Sequence, residues 1–409
     1  MIVMQINVYY KEGSTGSIVY LLHDYLNQHK IESYVVYGNG AKTKQNNIYK
    51  VSNKITRYIN TVYTYLSGYM YKGSLLSTLR TIYIIKKVKP NIVHVHCVNG
   101  HMTNIYILLG YLKRNNIKTI VTQHAEFFYT GSYTHVPEAS TQWLNGSREK
   151  LIGAKKLTNS WFFNKTYQSI TKMKSIFRDF ENLTIVSVSP WLTNRSMKSY
   201  VMQNKQHLTI LNGIDTNNIF YPRVDDELRE KLGIVDRKII LHVTSGFDNP
   251  IKGSIYMIKI AERLKGEDIV FLFIGVETPT ISLPNNCINL GVIKNANELA
   301  KYYSISDLCV ITSKVETFSL VVAESLSCGT PVVGFKSGGP ESIAIAEFSS
   351  FVEFGDIDGL VNEIQHWTKY KNNNRGYISK KAHELYSSEI MAHNYFQLYE
   401  KCFNKEDKY

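Results

Sequence analysis

The sequence predicts an α/β protein built from two doubly wound domains, each a parallel sheet covered by helices on both faces. Three observations predict it. Short β-branched runs alternate with helical periodicity along both halves of the chain. The 409 residues suffice for two or three domains at roughly 100–200 residues each. The composition, 44% hydrophobic and 20% charged, is that of an ordinary globular protein.

The elements follow in order. In the first half, Ile2–Val8 reads as a strand, Gly13-Ser14-Thr15-Gly16 as a turn, Ile18–His29 as a helix and Ser33–Tyr37 as a strand. Leu75–Lys87 is helical until Pro90, followed by strand Ile92–His96, helix Ile105–Arg114, and strands Thr119–Thr122 and Leu183–Val188, the last clear strand of this half. In the second half, strands are expected at Lys238–Val243, Val270–Gly275, Cys287–Leu290, Leu308–Thr312 and Pro331–Phe335. Helices are expected at Gly253–Leu264, Asn297–Tyr303, Leu320–Ser327 and Ser379–Phe403. The expected domains are 1–205 and 206–385, with a C-terminal helix at about 386–409 crossing back to the first domain. The two should face each other across a cleft, with ligands at the carboxyl ends of strands.

Composition excludes several classes. No run of about 18 apolar residues is free of charge, which argues against a membrane span. The start, Met1 to Val8, lacks a basic n-region and a small-residue cleavage site, so it reads as a strand and not a signal peptide. Five cysteines without Cys-x-x-Cys spacing argue against a disulfide framework or zinc site and for a reducing cytoplasm. Residues 1–205 carry 26 Lys and Arg against 8 Asp and Glu, whereas residues 206–409 carry 21 against 26. A basic half beside a mildly acidic one suggests an anionic partner, with solubility as the bland alternative. Within the basic half, Tyr58, Tyr63, Tyr65, Tyr69, Tyr71 and Tyr83 lie among Lys54, Arg57, Lys72 and Arg80. That mixture suits a membrane–water interface or a sugar-binding surface; a Tyr-rich helix packed on its own domain explains it equally well.

The strongest chemical signal runs from Ser313 to Glu341. Strand Leu308–Thr312 ends before a loop with Glu316, Thr317 and Phe318; a helix then starts near Ser319 and carries Glu324. A helix start favours phosphate or sugar oxygens. Two carboxylates eight residues apart could take two sets of hydroxyls on one extended ligand, and Gly329-Thr330-Pro331 and Gly338-Gly339-Pro340-Glu341 add tight turns on the same sheet edge. Either glutamate alone would read as a helix cap or a solvated side chain. Elsewhere, His94 and His96 alternate on one strand face, which reads as structural. Asp356-Ile357-Asp358 reads as a loop and not a metal site.

The string resembles the Glu-x7-Glu signature of retaining glycosyltransferases of family 4, which have the GT-B fold. Other stretches agree in order: Gly13 to Gly16, Lys89-Pro90-Asn91-Ile92-Val93-His94-Val95-His96, Thr122-Gln123-His124, Asn212-Gly213-Ile214-Asp215, and Phe247 to Gly253. The similarity is nearest to the bacterial polysaccharide branch that includes colanic-acid-type transferases. It implies that Glu316, Lys252 and His124 are catalytic, with Glu316 on the donor sugar, Lys252 on the leaving diphosphate and His124 beside the transferred sugar. It implies that Gly16, Gly291, Val292, Thr317, Phe318, Ser319, Leu320 and Glu324 bind the donor, Glu324 through the ribose. Acceptor-side candidates are Tyr58, Tyr69, His96 and Glu126. No metal or cofactor is implied, the nucleotide-diphosphate sugar being a substrate. The implied partners are that donor, a saccharide or polyprenyl-diphosphate-linked acceptor, and the anionic inner face of the cytoplasmic membrane, with a role in capsule, O-antigen or exopolysaccharide synthesis. Two positions depart from the pattern: Phe247 and Ile251 stand where relatives carry Arg; Lys314 and Lys336 are the replacement cations nearby. The rival readings are a sugar-nucleotide 2-epimerase, a degenerate transferase that binds without turnover, and a basic nucleic-acid binder without a recognised motif.

Overall fold

The computed structural model describes residues 1–409 except 137–139, 149–159, 247–248, 276, 278–281, 370–373 and 405–409. The chain divides into two compact units: residues 1–210 with 391–409, and residues 211–390.

The first unit holds seven parallel strands: β1 Ile2–Asn7, β2 Glu32–Tyr37, β3 Ile48–Lys50, β4 Ile92–Val95, β5 Lys118–Gln123, β6 Leu183–Ser187 and β7 Gln206–Thr209. Their spatial order is β3-β2-β1-β4-β5-β6-β7. Its longer helices are α1 Gly13–Gln28, α2 Lys54–Ser67, α3 Leu75–Val88, α4 Ile105–Arg114, α5 Thr166–Phe177 and α6 Pro190–Lys198. The second unit holds six parallel strands, β8 Lys238–Val243, β9 Ile269–Ile274, β10 Cys287–Asn289, β11 Leu308–Ile311, β12 Val332–Phe335 and β13 Ser349–Val352, in the order β10-β9-β8-β11-β12-β13. Its longer helices are α7 Ser254–Arg263, α8 Ala296–Ile305, α9 Leu320–Ser327, α10 Ile357–Lys369 and α11 Arg375–Tyr386; α12, Ser388–Asn404, ends the described chain. Both orders reverse once, between β1 and β4 and between β8 and β11. Each reversal opens a crevice at the carboxyl ends of those strands.

Near-continuous apolar runs such as Ile269–Ile274, all buried, are what a parallel strand covered on both faces requires. The second core joins them to Met257, Ile260 and Ala261 of α7 and to Leu360 and Ile364 of α10. In the first unit, Ile18, Leu22 and Leu26 of α1 pack with Met391, Tyr395, Leu398 and Tyr399 of α12 over β1, β4, β5 and β6.

Four local readings need correction. Gly13 to Gly16 is no turn before a helix but the first turn of α1. Strand β7 follows β6 and pairs with it, so the first unit runs past residue 205. The pattern from Ser379 to Phe403 is two helices, because the backbone at Ser387 leaves the helix to bridge Ile214; Ile214 N–H donates to Tyr386 O and accepts from Ser388 N–H through its carbonyl, both at 2.8 Å. Asp356 to Asp358 starts α10: the Asp356 carboxylate accepts from Gly359 N–H at 2.9 Å, and Asp358 pairs with Arg263.

Glu126 is an internal anchor and not an open acceptor contact. Its carboxylate accepts from Arg195 Nε and the Tyr129 hydroxyl, both at 2.6 Å, and from Val136 N–H at 2.7 Å. Its side chain is 1% exposed. Removing one partner of such a pair strands the other charge, so Glu126→Ala should destabilise the first unit by about 3 kcal/mol, measured by urea denaturation; an unchanged midpoint would refute the anchoring role.

Candidate functional site

The site on the second unit assembles at the crevice between β8 and β11. The loop after β8 ends in Lys252-Gly253, which starts α7. Gly253 has φ +69°, and a Cβ there would lie 2.0 Å from the Thr312 carbonyl oxygen, so the loop can close onto β11 only with glycine. Two hydrogen bonds complete the closure: Thr312 Oγ1 donates to Lys252 O at 3.2 Å, and Lys314 N–H to Ile251 O at 2.7 Å. The Lys252 ammonium thereby reaches Glu316 Oε1 at 2.8 Å. Ser313 Oγ donates to the same oxygen at 2.8 Å. These partners leave Glu316 Oε2 as the oxygen open to a ligand hydroxyl.

The next loop is fixed from behind. Glu316 bridges Gly338, its N–H donating to Ser337 O at 3.0 Å and its carbonyl accepting from Gly339 N–H at 2.8 Å. Glu341 holds the facing turn, accepting from Ser337 N–H at 2.9 Å and Gly338 N–H at 2.7 Å. A Cβ on Gly339 would sit 2.4 Å from Phe318 N, so the two loops touch at backbone distance. This places Thr317, Phe318 and Ser319 ahead of α9, whose first residue is Leu320. Ser319 is held at φ +84°, a conformation that costs an ordinary residue about 1–3 kcal/mol. The hydroxyls of Ser319, Thr244 and Ser337 are buried and find no hydrogen-bond partner among the described residues. All three stand at the carboxyl edge, after β8, before α9 and after β12. Orphaned buried hydroxyls are costly, and a polar ligand would satisfy them.

Glu324 lies one helix turn further in. It accepts from the Tyr303 hydroxyl at 2.9 Å. Burial pushes its carboxyl up to about 7, against that hydrogen bond, which lowers it. Behind the crevice, burial pushes the His242 imidazole down to about 4, so it stays neutral while contacting Val310 O at 3.0 Å and Ser254 Oγ at 3.3 Å. Gly291 follows β10 at φ +71° and its carbonyl accepts from Gly275 N–H at 2.8 Å; Val292 is exposed beside it. Of the two expected replacement cations, Lys336 pairs with Glu353 and Lys314 lies over the Phe354 ring. Phe247 lies outside the described residues.

The other expected residues belong to the first unit. Gly16 is buried in the first turn of α1, and a Cβ on it would come within 3.2 Å of Tyr9 Cβ, so its smallness already serves the chain's own β1–α1 loop. His94, His96 and His124 stack at the ends of β4 and β5, with His96 Nδ1 3.2 Å from His124 Nε2. His94 contacts the Tyr399 hydroxyl at 2.6 Å and Thr122 Oγ1 at 2.7 Å. Burial lowers all three imidazoles, His124 to about 4, and no metal-holding cluster of His, Cys, Asp or Glu occurs among the described residues. Tyr58 and Tyr69 lie apart from the histidines in sequence, in the α2–α3 layer.

Four contributors escaped the sequence reading. Ser313 stands three residues before Glu316, a spacing that could have flagged it. Tyr303 reaches Glu324 from another helix, and no local signal marks it. Tyr395 and Tyr399 reach Thr122 and His94 from the far end of the chain.

The Glu324 environment makes a pH prediction. The fold favours the protonated carboxyl, so that contribution is complete below the ordinary value of 4.5 and is lost as pH rises through about 7. Glu324→Gln keeps an uncharged acceptor for Tyr303. Its Tm should match that of the parent at acid pH and exceed it at about pH 8; equal Tm values across the range would refute the burial.

Comparison with known proteins adds the family. Residues 224–385 match the family described as glycosyl transferases group 1. The chain is 26% identical over 232 residues to the N-acetyl-alpha-D-glucosaminyl L-malate synthase of Bacillus anthracis, a match covering 53% of this chain and 58% of that enzyme. The chain thus spans a little over half the length of that relative. It is 21% identical over 352 residues to the putative colanic acid biosynthesis glycosyl transferase WcaC of Escherichia coli, covering 82% of this chain and 84% of that one. Anabaena HepE, solved in complex with UDP, superposes with a TM-score of 0.65 at 14% identity, over 98% of this chain and all of HepE. Residues 224–385 therefore resemble the glycosyl transferases group 1 family, and the chain that carries them is family-4-like in sequence and GT-B in fold.

Proposed function

We propose that the protein transfers a sugar from a nucleotide-diphosphate sugar to a hydroxyl of a saccharide acceptor, carried on a lipid, in the synthesis of a bacterial surface polysaccharide. The observation that carries this reading is the Lys252–Glu316 pair held at the β8–β11 crevice. An ammonium fixed there can meet the charge that builds on a departing diphosphate, which is transition-state stabilisation without a metal. The free oxygen of Glu316 can accept from a sugar hydroxyl, and Glu324 from the ribose. The open hydroxyls of Ser319 and Thr244 and the first N–H groups of α9 suit phosphate and sugar oxygens. The UDP complex of HepE supports a nucleotide donor, and WcaC supports polysaccharide synthesis. The reaction is read as retaining, with the leaving phosphate taking the acceptor's proton. No helix among the described residues is long and apolar enough to cross a membrane; the basic first unit is read as peripheral to the anionic inner face of the cytoplasmic membrane.

A binding protein without turnover is the competing reading, and Ile251 favours it: an exposed isoleucine precedes Lys252 where the polysaccharide branch carries a second cation. One experiment separates the two. A panel of nucleotide sugars, each with a set of simple saccharide acceptors to take the sugar, is scanned for stabilisation and for release of free nucleotide. A donor at a hundred times its Kd should add about 2.7 kcal/mol of stability, and Glu324→Ala should lose that gain. Lys252→Ala should lower nucleotide release by about a hundredfold or more. Stabilisation without release selects the binding protein; no stabilisation by any donor overturns both.

Donor binding should also titrate. A ribose hydroxyl is accepted best by ionised Glu324, so affinity for the donor is expected to rise as pH passes about 7 and to be flat in Glu324→Gln, read by calorimetry at several pH values. A slope retained in the variant would assign the titration elsewhere.

A further inference from the structure

The α2–α3 layer of the first unit is built inside out. Helix α3 turns Ser77, Thr78 and Thr81 inward over its first turns, before Ile84 and Ile85 are buried at its end, and leaves Leu75, Leu76, Leu79 and Tyr83 56–67% exposed. On α2 only Thr64 is buried, while Ile55, Ile59, Tyr63 and Leu66 form an exposed stripe at helical spacing. Trp161, Phe162 and Phe163, each more than half exposed, extend this surface: Trp161 N–H donates to Tyr65 O at 2.9 Å and its ring lies 5.3 Å from that of Tyr65. Exposed large apolar side chains gathered on neighbouring elements in this way mark an interaction site.

A pocket opens within the layer. Its volume is about 670 Å³, and Ile59, Tyr63, Tyr69, Leu75, Leu76 and Ile107 line it. This falls within the roughly 300–1,000 Å³ range of small-molecule sites. Lys72 and Lys172 stand on the same lining, and the Lys72 ammonium lies 4.3 Å over the Tyr69 ring. Neither lysine forms an ion pair among the described residues. The surrounding charge has one sign: residues 33–125 hold 13 Lys and Arg and no Asp or Glu, and residues 160–178 hold four and none.

Apolar side chains facing out, an apolar pocket and an acid-free cationic rim fit one occupant. We propose that this layer docks on an anionic bilayer and takes the hydrocarbon chain of one of its phospholipids into the α2–α3 pocket, with the lipid phosphate at Lys72 and Lys172. Tyrosine and tryptophan at such a face have the amphipathic character that a headgroup region favours. A second copy of this chain would bring the same positive field to itself and be repelled, and a neutral apolar partner would leave the lysines unused. The site deepens the membrane part of the proposed function, yet it rests on first-unit residues alone. Donor stabilisation through Glu324 therefore reports separately whether that broader reading stands.

The test is vesicle flotation of the full chain, with phosphatidylcholine alone and with phosphatidylcholine plus phosphatidylglycerol. Binding to the anionic vesicles is expected and should fall about tenfold or more in Lys72→Glu/Lys172→Glu and in Leu76→Glu/Leu79→Glu, with Tm and donor stabilisation kept. Lys42→Glu/Lys44→Glu makes the same charge change away from the pocket lining and should alter binding by less than about twofold. Acyl chains brominated along their length should quench Trp161 fluorescence, a signal that Trp161→Phe removes. Equal loss in both lysine pairs would reduce the effect to diffuse charge and overturn the site. Undiminished binding of Leu76→Glu/Leu79→Glu would overturn it too. So would a dimer in sedimentation that this variant dissociates, combined with no vesicle binding, since a second copy would then be the occupant.

Discussion

Lys252 meets Glu316 because β8 and β11, neighbours in the second sheet, send their chains to opposite sides. Once the strand order reverses there, no crossover helix can cover the carboxyl ends of both strands. The polar groups left at that edge must be satisfied by one another or by a ligand. Lys252, Ser313 and Glu316 satisfy one another in part; Thr244, Ser319 and Ser337 do not. Much of the local covalent geometry serves this edge. Glycine at 253 lets the lysine loop lie on β11, glycine at 339 lets the next turn lie on Phe318, and Glu341 holds that turn in place. The strain at Ser319 sits where these loops converge on the start of α9, as strained backbone does where the surroundings over-determine it.

The first sheet obeys the same rule with different chemistry. Its reversal between β1 and β4 is lined by neutral imidazoles in place of an ion pair. Burial keeps His94, His96 and His124 uncharged, and an uncharged stack tolerates the basic surroundings of this half. The Tyr395 and Tyr399 hydroxyls from α12 complete the hydrogen bonds of Thr122 and His94, so the end of the chain is part of the interior of its beginning. Glu126 shows the opposite solution for a buried charge: three donors hold it, and it is consumed in the process.

Away from both edges, the α2–α3 layer breaks the usual division of apolar inside and polar outside. Hydroxyls of Ser77, Thr78 and Thr81 bond to backbone carbonyls at Met102, Ser74 and Ser77, so they lie inside without cost. Their leucine neighbours face out because that is where the helix repeat leaves them. Polarity inverted along one helix is a packing statement about the helix's surroundings, and a charge balance of a single sign names the kind of surroundings.

Element type was legible in the sequence wherever the pattern was local. The β-branched run Ile269–Ile274, the Leu320–Ser327 helix and Ile105–Arg114 declare themselves by composition and period. So did the pairing of Glu316 with a downstream helix bearing Glu324, since eight residues of one chain can be laid out without knowing the rest. Contacts between distant segments were not legible. Nothing near Ser387 says that Ile214 will break the last helix, and nothing near Glu324 names Tyr303. Reading Gly13 to Gly16 as a turn followed composition, whereas the backbone there is already helix, and glycine stands at 16 because Tyr9 fills the space a Cβ would need. Periodicity likewise places Leu76 and Leu79 on one face but does not say whether that face is inside. A sequence fixes what each segment prefers; only the closed chain decides which preferences are met, because burial is a property of neighbours that the sequence sets far apart.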